Sequence, residues 1–311
     1  MSKVLPTFPT AGEHVPPAQL SLVRGLVKTA RPKQWAKNVL VLAAPGAAGV
    51  LTHGGPLLRS VFGLLMFCVV SSGTYFLNDA IDVEADRRHP LKRHRPMAAG
   101  VFPVRVGLVI AVVLLTGGIG ASAVVGWRLS LVMAVYVAVQ LAYSLYLKHQ
   151  PVYDLAAVAA GFVLRAIAGG VAAHVPVSEW FLIVTTFGSL LMVTGKRVAE
   201  QAELGHDRAA HRATLDTYSP TFLRTVLGIA AAGAIVGYCL WAFSLTTALR
   251  AHDPIWYQLS IVPMIVALLR YTFLVEGGRG ARPEDLVFSD HSLQVLGVVW
   301  GVLFALGIYA S

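Results

Sequence analysis

The chain has 311 residues, of which 56% are hydrophobic and only 13% are charged. This composition is too apolar for a soluble α/β enzyme and is typical of a polytopic membrane protein. The net charge is +9, but the basic residues cluster between apolar runs, which argues against nucleic-acid binding and favours a role in membrane topology or phosphate binding.

The N-terminal part of the chain combines a polar tail with a short amphipathic pattern. Residues 1–19 are polar and rich in proline, and we expect a disordered tail there. Between Leu20 and Ala30, apolar residues recur at helical spacing against Arg24 and Lys28. This spacing predicts an amphipathic helix that lies on the membrane surface. Residues 20–311 are expected to form a single integral membrane domain.

Nine apolar runs follow, of roughly the 17–25 residues that cross a bilayer. They cover residues 35–51, 57–77, 104–125, 129–147, 152–173, 180–194, 222–245, 256–275 and 292–309. We therefore expect an all-α polytopic membrane protein with nine transmembrane helices. Lysine and arginine concentrate in the connections on the side of the N-terminus, which predicts that this face is cytoplasmic in the plasma membrane.

The most informative segment, residues 78–86, follows the second apolar run and reads Asn-Asp-Ala-Ile-Asp-Val-Glu-Ala-Asp. On a helix, its residues Asn78, Asp79, Asp82 and Asp86 would project from one face. So much charge at the end of a membrane helix is costly unless a metal, a phosphate or water meets it. Carboxylates suit Mg²⁺, which prefers oxygen ligands and is often shared with substrate phosphates.

Three further places along the chain carry basic residues that could bind phosphate. Lys33 and Lys37 are four residues apart on the helix that Pro32 would start, although a plain interfacial anchor explains them as well. After the sixth run, Lys196 and Arg197 suit phosphate oxygens or serve topology. Arg165 lies in the middle of the fifth run, where it should pair with another group or face a polar cavity.

The acidic segment resembles the first signature of the UbiA superfamily of intramembrane transferases, Asn-Asp-x-x-Asp-x-x-x-Asp, and matches it at all four fixed positions. The nine runs and the place of the motif after the second run agree with this family. In that family these acids bind Mg²⁺ on a diphosphate. The resemblance implies that Asp79, Asp82 and Asp86 bind Mg²⁺, or Mn²⁺ in its place. It also implies that Asp79 and Asp82 are catalytic and that Asn78 orients them.

The segment after the sixth run departs from the general family, which carries a second Asp-x-x-x-Asp there. Here the sequence keeps one acid, Glu200, beside Lys196 and Arg197, and has His211 where a second aspartate would be expected after Asp207. This difference counts against a second magnesium site of the prenyl-diphosphate type.

Several separate stretches are instead similar to one branch of the superfamily, the decaprenyl-phosphate phosphoribosyltransferases of the mycobacterial arabinan precursor pathway. They include the Arg-Pro-Lys-Gln-Trp run from Arg31, Tyr143-Ser144 with Lys148, and Gly195-Lys196-Arg197. The resemblance implies a set of substrate-binding residues: Lys33, Lys37, Asn78, Arg87, Lys92, Arg93, Arg95, Tyr143, Lys148, Arg165, Lys196, Arg197 and Glu200.

The function implied is transfer of a 5-phosphoribosyl group from 5-phosphoribosyl-1-diphosphate to polyprenyl phosphate within the lipid bilayer, releasing diphosphate. Two other functions remain open, namely transfer of a prenyl group to an aromatic acceptor and transport of an anionic metabolite. The sequence does not decide whether the protein is a homo-oligomer.

Overall fold

The computed structural model describes residues 21–204, 217–248, 255–279 and 283–309, and over these ranges the protein is built from helices without a strand. The expected polar tail and the segment with His206, Asp207 and His211 lie outside the described residues. The α-helices are Leu22–Ala30 (α1), Ala43–Ala47 (α2), Gly54–Ile81 (α3), Val83–Arg88 (α4), Val104–Ser122 (α5), Trp127–Leu145 (α6), Tyr153–Ala173 (α7), Glu179–Leu204 (α8), Pro220–Ala248 (α9), Ile255–Glu276 (α10), Pro283–Ser289 (α11) and His291–Tyr309 (α12).

Within the described ranges, eight helices are long and apolar enough to cross a membrane, namely α3, α5, α6, α7, α8, α9, α10 and α12. Each coincides with one of the expected runs, and the all-α membrane architecture is confirmed. The remaining run, residues 35–51, which is the first in the chain, is different. It folds as a 3₁₀ helix over Pro32–Leu42, the short helix α2, and a second 3₁₀ turn over Val50–Thr52. We call residues 32–52 the broken segment.

The broken segment has clear physical causes. Pro45 in α2 lacks the N–H that a continuous helix needs there, and its ring crowds the preceding turn. Gly49 adopts the left-handed conformation with φ of 69°, which ends the helical path. The amide of Asn38 is fully buried. Its Nδ2 donates to Ser71 Oγ at 3.2 Å, so tertiary contacts set the conformation here.

Two further boundaries differ from expectation. Helix α8 extends ten residues beyond the predicted end of its apolar run, so Lys196, Arg197 and Glu200 lie on a helix and not in a loop. The acidic segment is not one uninterrupted helix, because α3 ends at Ile81 and α4 begins at Val83.

Helix α7 lies at the centre of the molecule and packs into two separate hydrophobic clusters. Its Ala168 and Ala172 join Phe67 of α3 and Met133 of α6 in the first cluster, and its Leu155 joins helices α8 to α12 in the second. Helices α3 and α7 are the most buried of the eight, whereas α5 and α12 expose apolar side chains outward, as lipid-facing helices do.

The amphipathic pattern near the N-terminus folds as helix α1. Leu26 packs against the cluster formed by Phe76 and Phe102, whereas Val23 and Val27 are more than half exposed. Arg24 and Lys28 are also exposed on this helix. Such a mixture of basic and apolar exposed residues suits the membrane interface, where we still expect α1 to lie.

The broken segment packs so closely on α7 that only glycine fits at the contact. A Cβ atom on Gly169 would lie 1.7 Å from the carbonyl oxygen of Val41 and 3.2 Å from Pro45 Cδ. Small residues let helix backbones approach in this way within membranes.

Replacing Gly169 with alanine should therefore destabilise the protein by at least the 1–3 kcal/mol or so that is typical of overpacked cores. The change should appear as a lower thermal unfolding midpoint in detergent. Gly117→Ala on α5 is the matched control, since a Cβ there meets no atom within 4 Å. Equal midpoints for the two variants would contradict the close packing.

Candidate functional site

The acidic segment remains a helical ladder across the junction of α3 and α4. The Asp82 N–H donates to the Asn78 carbonyl at 2.9 Å, and the Asp86 N–H donates to the Asp82 carbonyl at 2.8 Å. The i, i+4 spacing that places these side chains along one side of the chain is therefore kept, although α3 formally ends at Ile81.

Asp79 and Asp86 are buried and share a basic partner. Asp79 is 2% exposed, and its Oδ1 lies 2.6 Å from the Arg31 guanidinium and 3.2 Å from Arg95. The same Arg95 nitrogen lies 2.8 Å from Oδ2 of Asp86. Because removing one member of a buried ion pair leaves an uncompensated charge, these contacts tie residue 31 and residues 92–95 to the end of α3.

The other two residues of the motif face the end of α6. Lys148 lies 2.6 Å from Oδ1 of Asp82. Asn78 accepts a hydrogen bond at 2.8 Å from the hydroxyl of Ser144. The structure thus brings together three acids and three bases from three parts of the chain, and their formal charges sum to zero.

Asp79, Asp82 and Asp86 suit a hard cation such as Mg²⁺, because they offer carboxylate oxygens. The ion pairs engage one oxygen of each carboxylate, and each has a second oxygen. The described residues nevertheless contain no group of three or more acidic, histidine or cysteine side chains arranged to hold a metal. A cation here would therefore take ligands from outside the chain as well, or displace a base from an acid.

A second buried polar cluster joins the start of α7, the end of α8 and the start of α9. Arg197 lies 2.9 Å from Glu200 and 3.4 Å from Asp154, which is fully buried. The Tyr218 hydroxyl donates to Asp154 and accepts from the Val152 N–H. Burial and the hydrogen bond to Asp154 raise the pKa of the Tyr218 phenol.

The two neighbouring bases of α8, Lys196 and Arg197, have different environments. Arg197 is buried between carboxylates, whereas the Lys196 side chain is 46% exposed and lies 3.8 Å from Glu200. Lys196 is thus accessible to a ligand, whereas Arg197 orients Glu200 and binds Asp154.

Arg165, the charge expected in mid-membrane, is buried and hydrogen-bonded. It donates to Asn38 Oδ1 at 2.8 Å, to the Gly161 carbonyl at 2.7 Å and to the Tyr136 hydroxyl at 3.0 Å. Its guanidinium also lies 4.9 Å from the centre of the Tyr136 ring. These contacts bind the broken segment to α6 and α7, which favours a structural role.

The remaining predicted substrate-binding residues differ in their exposure. Arg87 and Arg93 are exposed, and Arg87 pairs with Glu84 at 2.7 Å. Lys33 is exposed as well. Partly buried positions are occupied by Lys37, Lys92 and Tyr143.

Sequence reasoning missed four residues that the structure places at these clusters, namely Arg31, Ser144, Asp154 and Tyr218. Arg31 begins the Arg-Pro-Lys-Gln-Trp run, and Asp154 is an acid at the start of an apolar span. Both could therefore have been recognised as candidate site residues from the sequence. No sequence pattern pointed to Tyr218, because its partner Asp154 lies 64 residues away.

The family model described as UbiA prenyltransferase family matches residues 39–293. The chain is 45% identical over 295 residues to a decaprenyl-phosphate phosphoribosyltransferase of Corynebacterium glutamicum, covering 93% of this chain and 88% of the relative. It is 45% identical over 316 residues to the protein of the same name from Mycolicibacterium smegmatis, covering 97% and 96%.

Among solved structures, a UbiA homolog from Archaeoglobus fulgidus bound to DMAPP and Mg²⁺ is similar with a TM-score of 0.68. The two chains are 20% identical, and the match covers 91% of this chain and 97% of the homolog. At this identity the similarity establishes the fold.

Tyr218→Phe should lower stability by about 1–3 kcal/mol, because the buried Asp154 carboxylate and the Val152 N–H lose their hydroxyl partner. Thermal unfolding in detergent measures this effect. Tyr153→Phe is the control, because that side chain is 64% exposed. Equal stability of the two variants would show that the buried hydroxyl contributes nothing.

Proposed function

The chain belongs to the UbiA prenyltransferase family, and on this basis we propose that it is a membrane-embedded phosphoribosyltransferase. It transfers the 5-phosphoribosyl group of 5-phosphoribosyl-1-diphosphate to a polyprenyl phosphate such as decaprenyl phosphate and releases diphosphate. The observation that carries the proposal is 44–45% identity, over more than nine-tenths of the chain, to relatives named decaprenyl-phosphate phosphoribosyltransferase.

The charge distribution at the acidic segment supports this reaction. Both substrates are anionic, and bases surround the carboxylates on α3 and α4. Lys148 and Arg95 lie at hydrogen-bonding distance from these acids. An anion that binds together with a cation at the acids would therefore contact both bases. Lys196 and Lys33 are exposed on the same side of the protein and suit the outer phosphate oxygens.

Asp79, Asp82 and Asp86, oriented by Asn78, would hold the divalent cation, which we assign as Mg²⁺ with Mn²⁺ as a substitute. When bound, it neutralises charge on the leaving diphosphate. Bases at fixed positions stabilise the same charge as the bond from ribose C1 to oxygen breaks. The acceptor phosphate is already an anion near neutral pH, so the site requires no strong general base.

The cytoplasmic side of the plasma membrane is the proposed location of the site. Lysine and arginine residues concentrate at the helix ends that lie on the same side of the protein as α1. The positive-inside rule assigns that side to the cytoplasm. The acceptor's polyprenyl tail would then lie among the lipid-facing helices of a single transferase domain, residues 20–311, while its phosphate reaches the acidic segment. The product, a polyprenyl phosphate that carries the 5-phosphoribosyl group, would be used in arabinan precursor synthesis for the cell wall.

The purified protein should convert labelled 5-phosphoribosyl-1-diphosphate and decaprenyl phosphate into a labelled lipid. Asp79→Asn and Asp82→Asn should each reduce the rate by at least roughly a hundredfold, since each removes a hard anionic ligand while keeping the side-chain shape. Glu84→Gln is the matched control, because this exposed acid lies in the same segment. Product formation only from a prenyl diphosphate and an aromatic acceptor would favour the alternative prenyltransferase reaction.

Activity should require a divalent cation, with Mg²⁺ or Mn²⁺ better than zinc, because the site offers only oxygen ligands. Binding of Mn²⁺ should also tighten when the donor is present. The three acids are already neutralised by three bases, so a dication alone adds net charge that the donor's phosphates offset. Titration of Mn²⁺ by electron paramagnetic resonance, with and without donor, measures this coupling. Equal affinities would contradict it.

A further inference from the structure

Arg31 is a base at the acidic segment to which the family resemblance assigns no role. It joins α1 to the broken segment, with a left-handed backbone conformation at φ of 55°. Its guanidinium lies 2.6 Å from Asp79 Oδ1, and its side chain is 29% exposed, against 2% for Asp79. Arg31 therefore stands between the solvent-accessible face and the most buried acid of the motif.

The backbone on both sides of Arg31 is fixed to α3. The Ser72 hydroxyl shares its proton between the Cys68 carbonyl at 2.8 Å and the Ala30 carbonyl at 3.1 Å, and it accepts from the Trp35 indole N–H at 3.0 Å. The Gln34 N–H donates to the Arg31 carbonyl at 2.8 Å. Because these contacts hold the chain in place, the guanidinium can change partner without moving α1 or the broken segment.

The aromatic ring of Tyr75 supports such a change. The Arg31 guanidinium lies 4.7 Å from the centre of this ring. A cation over an aromatic face is stabilised without a fixed hydrogen-bond direction. The ring contact can therefore persist while the guanidinium nitrogens turn from one oxygen to another.

The two arginines at Asp79 are not equivalent. Arg95 pairs with Asp86 at 2.8 Å as well as with Asp79 at 3.2 Å. In the described part of the chain, the ion pair of Arg31 is with Asp79 only. If a cation took the Oδ1 oxygens of Asp79 and Asp86, Arg95 would keep the Oδ2 oxygen of Asp86, but Arg31 would lose its counter-charge.

We propose that Arg31 is an exchangeable counter-ion that holds Asp79 until a divalent cation arrives, and then binds a phosphate oxygen of the donor. The identity of that donor rests on the function proposed above, whereas the competition between Arg31 and the cation does not. Arg31 then has two opposite effects, since it opposes binding of the cation alone and favours binding of the cation with a diphosphate. A permanent structural ion pair would have only one effect, on stability.

The test is binding of Mn²⁺, followed by electron paramagnetic resonance, to the full-length protein and its Arg31→Gln variant in lipid nanodiscs. Without any phosphate ligand, the variant should bind Mn²⁺ several-fold more tightly than the wild type, because Asp79 has lost a competing cation. With saturating Mn²⁺, the variant should bind inorganic diphosphate and 5-phosphoribosyl-1-diphosphate roughly tenfold more weakly. Arg24→Gln, an exposed base on α1, is the matched control and should change neither affinity.

Unchanged or weaker Mn²⁺ binding by Arg31→Gln would overturn the proposal, and so would unchanged binding of diphosphate. If the glutamine variant fails to fold, Arg31→Lys replaces it. Both affinities should then change in the same directions but by less, because lysine keeps the positive charge and lacks the guanidinium that binds two oxygens at once. A wrong donor assignment has a different signature. The wild type would then bind Mn²⁺ and diphosphate but not 5-phosphoribosyl-1-diphosphate.

Discussion

A carboxylate buried at the end of a membrane helix requires a counter-charge, and the rest of the site follows from this requirement at Asp79. Its partners come from residue 31 on one side and residue 95 on the other, which draws the N-terminal helix and the segment after α4 onto the same end of α3. The pairing of Asp82 with Lys148 adds the 3₁₀ turn that follows α6, residues Leu147–His149. The ion pairs act together with the apolar cluster of Leu26, Phe76 and Phe102, and both gather these segments at the same end of α3.

Much of the architecture could be predicted because hydropathy reports directly on membrane spans. Eight apolar runs form helices, and all of these except α8 lie close to their expected bounds. The broken segment could not be predicted in the same way, since its composition is apolar but its path depends on Pro45 and on the tertiary partners of Asn38. The length of α8 was also underestimated, because its last turns are polar and carry Arg197 inward to a fully buried Asp154.

The candidate site was predicted in part. The motif spacing predicted that the acids lie along one side of the chain, and in the structure Arg95 and Lys148 lie against them. That these acids bind a metal stays a prediction. The spacing could not show that each acid is already paired, because those partners are up to 66 residues away in sequence. It could not separate Lys196 from Arg197 either, although they are neighbours. One is nearly half exposed and the other is enclosed by Glu200 and Asp154.

The contact between Asn38 and Arg165 has a consequence for biogenesis. The two residues are 127 positions apart, and the carbonyl of Val41 packs on Gly169 in the same region. The ribosome therefore makes the broken segment, and the α3 residues that meet the Asn38 amide nitrogen, long before it makes the Arg165 that meets the amide oxygen. The contacts of the broken segment with Arg165 and Gly169 can form only after α7 has been synthesised. The first apolar segment to be made therefore completes its packing later than its place in the sequence would suggest.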